Sequence, residues 1–213
     1  LEQSYMPLML KNISYDTICH EHLEYYSLKT IKYIFDQVGF KIIDLEFNDI
    51  NGGSFALTVS KKKSRYSEYS KIVNWLLLKE EKNKYNSTIT HIKFFNSVKQ
   101  HKKLLQDLLL NLADMKKKVI GYGASTKGNV ILQYCNLSSK NIKFIVDVNK
   151  DKNNKYTPGS LIKIVSEKEI KRYNPDYMLV LPWHFKNFIL QKEKNYLNQG
   201  GKLIFPLPDI EII

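Results

Sequence analysis

The densest reactive stretch of the chain is Tyr15-Asp16-Thr17-Ile18-Cys19-His20-Glu21-His22. Histidine titrates near neutrality, which suits it to take a proton from a carbon beside a carbonyl, and a neighbouring carboxylate orients the ring or raises its pKa. The order His20-Glu21-His22 alternates, so an extended segment would put both histidines on one face and Glu21 opposite. On a helix the two rings would diverge by about 200°, unlike the i, i+4 pair of a helical zinc site. Proton transfer is therefore the chemistry expected here, and no metal. A loop whose polar residues bond one another is the plainer reading of the same residues.

The second constellation is Gly121-Tyr122-Gly123-Ala124-Ser125-Thr126-Lys127-Gly128, which follows directly on an apolar run. Glycines between a strand and a helix let the backbone approach a ligand, and the free N–H groups of the helix start favour an anion. Ser125 and Thr126 add hydroxyls, and Lys127 adds a charge. Asp147 falls where such folds often grip a ribose hydroxyl. The pattern departs from G-x-G-x-x-G, because Thr126 stands where the third glycine would be, and it lacks the Gly-Lys-Ser/Thr of a Walker loop. Phosphate binding and tight helix–strand packing both explain these glycines. An NAD site is the poorer match.

These residues need elements to hold them. Leu28 to Val38 places Ile31, Ile34, Phe35 and Val38 on one helical face, with Ser27 as N-cap and Gly39 after the end. Phe40 to Phe47 and Ser54 to Ser60 read as strands joined by a turn at Asn51, Gly52 and Gly53. A helix and hairpin alone cannot cover a sheet, and no upstream strand is expected, so the segment reads as the tail of a larger domain. Helices are expected from Glu68 to Lys82 and after Ser87, broken at Asn83 to Ser87. Beyond Lys118 strands and helices alternate: strands at 118–122, 142–146, 161–165, 177–181 and 202–205, and helices at 127–134, 167–172 and 185–197. That alternation predicts an α/β fold, a Rossmann-like, doubly wound parallel sheet.

Composition narrows the partners. The formal charge is +12 over 213 residues, yet arginine occurs only at Arg65 and Arg172. Nucleic-acid recognition leans on arginine, so the lysines read as a solvated face and no nucleic-acid partner is expected. Cys19 and Cys135 lie far apart in sequence with no second cysteine near either, a spacing that supports neither a disulfide framework nor a structural metal site. No apolar run reaches the roughly 20 residues of a membrane span, and no leader is visible. A cytoplasmic protein without a membrane partner is expected.

Several runs together resemble the S-adenosylmethionine-dependent sugar C-methyltransferase family. They are Glu2-Gln3-Ser4-Tyr5-Met6-Pro7, YDTICHEHLEYYS from Tyr15 to Ser27, Asn51-Gly52-Gly53-Ser54, GYGASTKGN, Tyr156-Thr157-Pro158-Gly159 and Leu181-Pro182-Trp183. The resemblance spans nearly the whole chain in order. It implies three parts in the family: a zinc-binding module, a methyl-donor domain and a C-terminal Rossmann-like domain. Residues 1–65 would then be the tail of the donor domain, 66–117 a helical connector packed on the C-terminal domain, and 118–213 a nucleotide-sugar-binding domain. Zinc is expected only in the upstream module, and the S-adenosylmethionine site mostly outside this chain, so the piece alone is expected not to turn over.

By the same resemblance the enzyme methylates a carbon beside the keto group of a nucleotide-activated sugar through a base-generated enolate. His22 would be the base, with Glu21 and His20 completing the catalytic set. Tyr15, Gly121, Gly123, Ser125, Thr126, Lys127, Asp147, Tyr156 and Trp183 would bind the nucleotide-diphosphate sugar, although core packing explains Tyr156 and Trp183 equally well. Where the family often has tyrosine, two before Glu21, this chain has Cys19. The rival reading is an NAD-dependent oxidoreductase or a non-catalytic dinucleotide-binding module, which leaves His20-Glu21-His22 without a role.

Overall fold

The computed structural model describes residues 1–48 and 52–213. The expected turn residue Asn51 lies outside them. Two compact units emerge: Leu1–Ser14 with His20–Ser97, and Tyr15–Cys19 with Val98–Ile213.

In unit 1, strand β1 (Glu2–Ser4) leads into helix α1 (Met6–Lys11), whose first turn carries Pro7, where a missing N–H costs nothing. Helix α2 (Leu28–Gln37) starts at Ser27, whose side chain accepts from the Thr30 N–H. Strands β2 (Phe40–Asn48) and β3 (Ser54–Lys61) follow and pair antiparallel, with a register shift between Ile42 and Asp44. β1 pairs with the other edge of β3, Glu2 opposite Ala56 and Ser4 opposite Ser54. The expectation that no upstream strand is supplied is thus corrected: β1 is there, too short for periodicity to reveal.

Helix α3 (Ser70–Lys82) belongs to unit 1 and packs Val73 and Leu76 with Leu28, Ile31, Ile42, Leu45, Phe55 and Leu57 in one core. The face of α2 is rotated from the expected one. Leu28 and Ile31 are buried and Phe35 packs partly, whereas Ile34 and Val38 are exposed. Glu80 of α3 is 1% exposed. Its Oε1 accepts from the Tyr5 hydroxyl (2.6 Å) and the Leu28 N–H (2.7 Å), and its Oε2 from the Lys29 N–H (3.0 Å). A carboxylate therefore satisfies the first-turn donors of α2, where the helix dipole favours negative charge. Burial, reinforced by this carboxylate, pushes the Tyr5 phenol well above its ordinary pKa.

Helix α4 (Thr88–Asp114) begins in unit 1 and continues in unit 2. Its buried Val98, His101, Leu105, Leu109 and Leu112 recur every three or four residues, the stripe of an amphipathic helix. Unit 2 then alternates β4 (Val119–Tyr122), α5 (Thr126–Tyr134), β5 (Ile145–Asp147), β6 (Ile164–Ser166), α6 (Lys168–Tyr173), β7 (Tyr177–Val180), α7 (Lys186–Lys192), α8 (Lys194–Asn198), β8 (Lys202–Phe205) and β9 (Glu211–Ile212). The sheet order is β6-β5-β4-β7-β8-β9, parallel except for β9. All four residues of β4 are buried, as a central parallel strand requires.

The expected α/β, doubly wound parallel sheet is therefore present, with local corrections. β5 starts at Ile145 rather than Ile142, and β6 at Ile164 rather than Leu161, which sits in a left-handed conformation and is exposed. The single helix expected at 185–197 is divided at Glu193, between α7 and α8, and a short 3-10 turn, Trp183–Phe185, precedes it. No helix among the described residues is long and apolar enough to cross a membrane.

Candidate functional sites

His20 and Glu21 lie in a turn, not in an extended strand, which corrects the expectation of two histidines on one face. A cleft of about 760 Å³ in unit 1 is lined by Glu21, His22, Leu23, Glu24 and Tyr26, facing Glu2, Gln3 and Ser4 of β1 and Ser54 of β3. His20 is exposed and does not line it. The backbone at His22 is held by the Tyr25 hydroxyl, which donates to its carbonyl at 3.1 Å.

Carboxylates surround the His22 ring's cleft on this chain: Glu2, Glu21 and Glu24. Asn48 Nδ2 donates to Glu2 Oε1 at 2.7 Å, and the Tyr26 hydroxyl donates to Glu24. The Ser4 hydroxyl is buried without a partner among the described residues. Gly53 closes one end of the sheet: its φ is +123°, its carbonyl accepts from the Tyr5 N–H, and a Cβ there would stand 2.7 Å from Leu8. A half-buried imidazole among carboxylates and hydroxyls can accept and pass on a proton.

Unit 2 has a cavity of about 630 Å³ at the carboxyl ends of its parallel strands. Gly123 and Ser125 follow β4, Asp147 ends β5, and Pro182 follows β7. This is where strand order reverses on either side of β4, the usual ligand position of such sheets. Phe185, Phe188 and Ile189 form the opposite wall, with Lys152, Lys192 and Glu167 at the edge. None of these six was singled out in the sequence. Phe185 and Phe188, three apart at the start of the helix expected from Phe185, were the available signal.

The turn itself is tightly built. Gly123 has φ +79°, and a Cβ on it would lie 2.7 Å from Pro182. Cβ atoms on Gly121 and Gly128 would lie 2.6 Å from Ile145 and 2.7 Å from Leu181. Close packing thus accounts for all three glycines. Asp147 does not reach into the cavity as a free acid. Its Oδ2 accepts from the Ala124 N–H (2.7 Å) and Lys152 Nζ (3.3 Å), and its Oδ1 from the Asn149 N–H (2.8 Å).

Three further expected binding residues are gathered elsewhere in unit 2. Tyr15, Lys127 and Trp183 are all buried. Trp183 Nε1 donates to Asp16 Oδ2 at 2.7 Å, while Asp16 Oδ1 has no partner among the described residues. Burial raises the Asp16 pKa, and the Trp183 hydrogen bond and the Lys127 charge oppose that rise. Burial and the same Lys127 charge push His184 down to about 4. The Tyr15 hydroxyl meets His101 Nδ1 (3.2 Å) and Cys135 Sγ (3.3 Å), and its pKa is raised mainly by burial. His101 Nε2 lies 2.6 Å from the Pro206 carbonyl, so this nitrogen carries the proton and Nδ1 accepts from Tyr15. Neither Asp16 nor His184 was assigned a role from sequence, although Asp16 lies inside the reactive stretch.

Thr126 is half-buried at the start of α5 and does not line the cavity. Tyr156 is 59% exposed and bridges to Lys163, so neither the core nor the cavity holds it. Its neighbour Thr157 is the structural member of that turn, accepting from the Ile162 N–H at 2.9 Å.

The family of C-methyltransferase C-terminal domains matches residues 49–208. Over its 213 residues the chain is 32% identical to C-methyltransferase NovU of Streptomyces niveus, and it spans half, 50%, of that protein's length. The chain belongs to the C-methyltransferase C-terminal domain family.

Proposed function

We propose that the protein containing this chain transfers a methyl group from S-adenosylmethionine to a carbon beside the keto group of a nucleotide-activated deoxy sugar. The observation that carries this reading is the unit 1 cleft, which brings His22 and Glu21 together with Glu2, Ser4, Tyr26 and Ser54. Residues 1–65 then complete the catalytic domain, and residues 118–213 hold the nucleotide sugar in the cavity beside Gly123.

Carbon attached to a carbonyl is a poor nucleophile until its proton is removed. His22 takes that proton: the C–H bond breaks, the proton goes to a ring nitrogen, and the electron pair moves onto the carbonyl oxygen as an enolate. Glu21 lines the same cleft and stabilises the imidazolium that results. The Ser4 hydroxyl, buried in the same cleft without a partner among the described residues, is the kind of donor an enolate oxygen needs. S-adenosylmethionine, when bound, supplies the electrophilic methyl carbon. Among the described residues the strand–glycine–helix turn that would suit its adenosyl group lies in unit 2, where Asp147 and Ser125 already engage the amides. No residue of this chain is assigned to hold it.

The test is exchange of the sugar's α-hydrogen with heavy water, followed by NMR in the full protein without donor. His22→Gln is expected to slow exchange by about 100-fold or more. Exchange at the wild-type rate in His22→Gln would remove His22 as the base.

A further inference from the structure

We infer that the glycine turn of unit 2 is filled by an internal anion, Asp147, and that the cavity beside it takes the uncharged, planar nucleoside end of the substrate rather than its diphosphate. This rests on the nucleotide-sugar reading above.

A phosphate at a strand–glycine–helix turn needs free N–H groups. Here the Gly123 N–H donates to Val146 O (2.8 Å), Ala124 to Asp147 Oδ2 (2.7 Å), Ser125 to Gly123 O (3.0 Å) and Gly128 to Ser125 Oγ (3.0 Å). The Asp147 side chain is only 8% exposed. Lys152, the cation that would meet a phosphate, donates instead to the Ala124 carbonyl (2.8 Å) and to Asp147. The carboxylate thus stands where a phosphate would, and a second anion brought to the turn meets like charge. Both oxygens of Asp147 already accept hydrogen bonds from this chain and the side chain is nearly buried, unlike the open acid that grips a ribose diol in a dinucleotide fold.

The rest of the cavity is neutral. Lys192 pairs with Glu167 at 2.5 Å, as Lys152 pairs with Asp147, so the lining charges cancel. Most of what remains is apolar: Val146, Val148, Pro182, Ile189 and two phenylalanines. Val148, Phe185 and Phe188 are 67%, 57% and 64% exposed, three apolar side chains left in water at the mouth of one cavity. A flat heteroaromatic ring covers such faces and stacks on phenylalanine. About 630 Å³ is enough for a nucleoside. Asn149, at the rim, accepts from Asp151 through Oδ1, and its amide Nδ2 is without a partner among the described residues, ready for a base carbonyl.

The test is calorimetric titration of the 213-residue chain with thymidine, uridine, their 5′-diphosphates and inorganic pyrophosphate. A nucleoside and its diphosphate are expected to bind within about threefold of each other, and pyrophosphate to displace neither. Phe188→Ala, at an exposed position, is expected to weaken both by about tenfold or more. Displacement by pyrophosphate, no nucleoside binding, or unchanged affinity in Phe188→Ala would each overturn the assignment. The hydrogen-exchange assay moves independently: exchange that needs His22 without nucleoside binding removes the cavity assignment alone. Nucleoside binding with exchange indifferent to His22 removes the chemistry alone.

Discussion

Replacing Glu80 offers the sharpest stability test of the fold. Its carboxylate accepts three hydrogen bonds while 1% exposed: one from Tyr5 and two from the first turn of α2. Glu80→Ala strands all three donors in the core of unit 1, and hydrogen bonds to a charged group contribute about 1.5–3 kcal/mol each. These losses do not simply add, and breaking a buried charged cluster typically costs about 3–5 kcal/mol. Glu80→Gln is milder. Its amide oxygen can still serve Tyr5 and Leu28, but its NH2 group then faces the Lys29 N–H, donor against donor, for a loss of about 2–3 kcal/mol. At about 2–4 °C per kcal/mol in a chain of this size, the alanine variant melts roughly 6–20 °C lower. Urea unfolding followed through Trp75, which lies on α3, reports unit 1. A Tyr5→Phe, Glu80→Gln double-mutant cycle then isolates one bond, with a coupling of about 1–2 kcal/mol expected. Both Glu80 variants within 0.5 kcal/mol of wild type, on the order of ordinary surface substitutions, would refute the reasoning.

Four further outcomes are expected. Trp183→Phe keeps an aromatic ring, though a smaller one, and removes the donor to Asp16, and should destabilise unit 2 by about 2–3 kcal/mol in denaturant titrations; Asp16→Asn, which retains an acceptor, should cost less. His184 in the folded chain is pushed down to about 4, so between that value and its ordinary one the unfolded chain binds more protons. Stability must then fall as pH drops from about 6.5 toward 4, by about 2–3 kcal/mol, and urea midpoints of His184→Gln should lose that part of the slope. Gly123→Ala combines strain at positive φ with a clash against Pro182, and should cost about 2 kcal/mol or more in thermal melts. His22→Gln should lower methyl transfer by the full protein about 100-fold or more, with little change in melting temperature because the ring is only half-buried.

Much of unit 2 was legible because a parallel sheet writes itself as apolar runs alternating with helical spacing. Ile120, Val146 and Leu179 are buried on the strands that spacing indicated. What escaped were features made by distance in sequence. Glu80 stands in Lys79-Glu80-Glu81-Lys82, a run that reads as solvated, and only the arrival of α2 turns it inward. β1 and β9 are three and two residues long, below any periodicity. Asp147 was recognised as special, yet its partners Ala124 and Lys152 come from another turn and from five residues on. His20 shares a motif with His22, and a turn rather than an extended backbone separates them. Residue type announces reactivity; backbone geometry decides which atoms meet.

The path of the chain between the units has a consequence for anyone who would take it apart. Tyr15–Cys19 belongs with Val98–Ile213, although the residues on both sides of it belong to unit 1. A gene cut at Ser97/Val98 therefore yields a second piece that lacks Asp16 and Tyr15. That piece keeps a buried Lys127 and a Trp183 indole N–H whose acceptor has gone with the first piece. The units are compact bodies but not inheritable modules: no single breakpoint separates them, so recombination that swaps one must carry a five-residue passenger from the other.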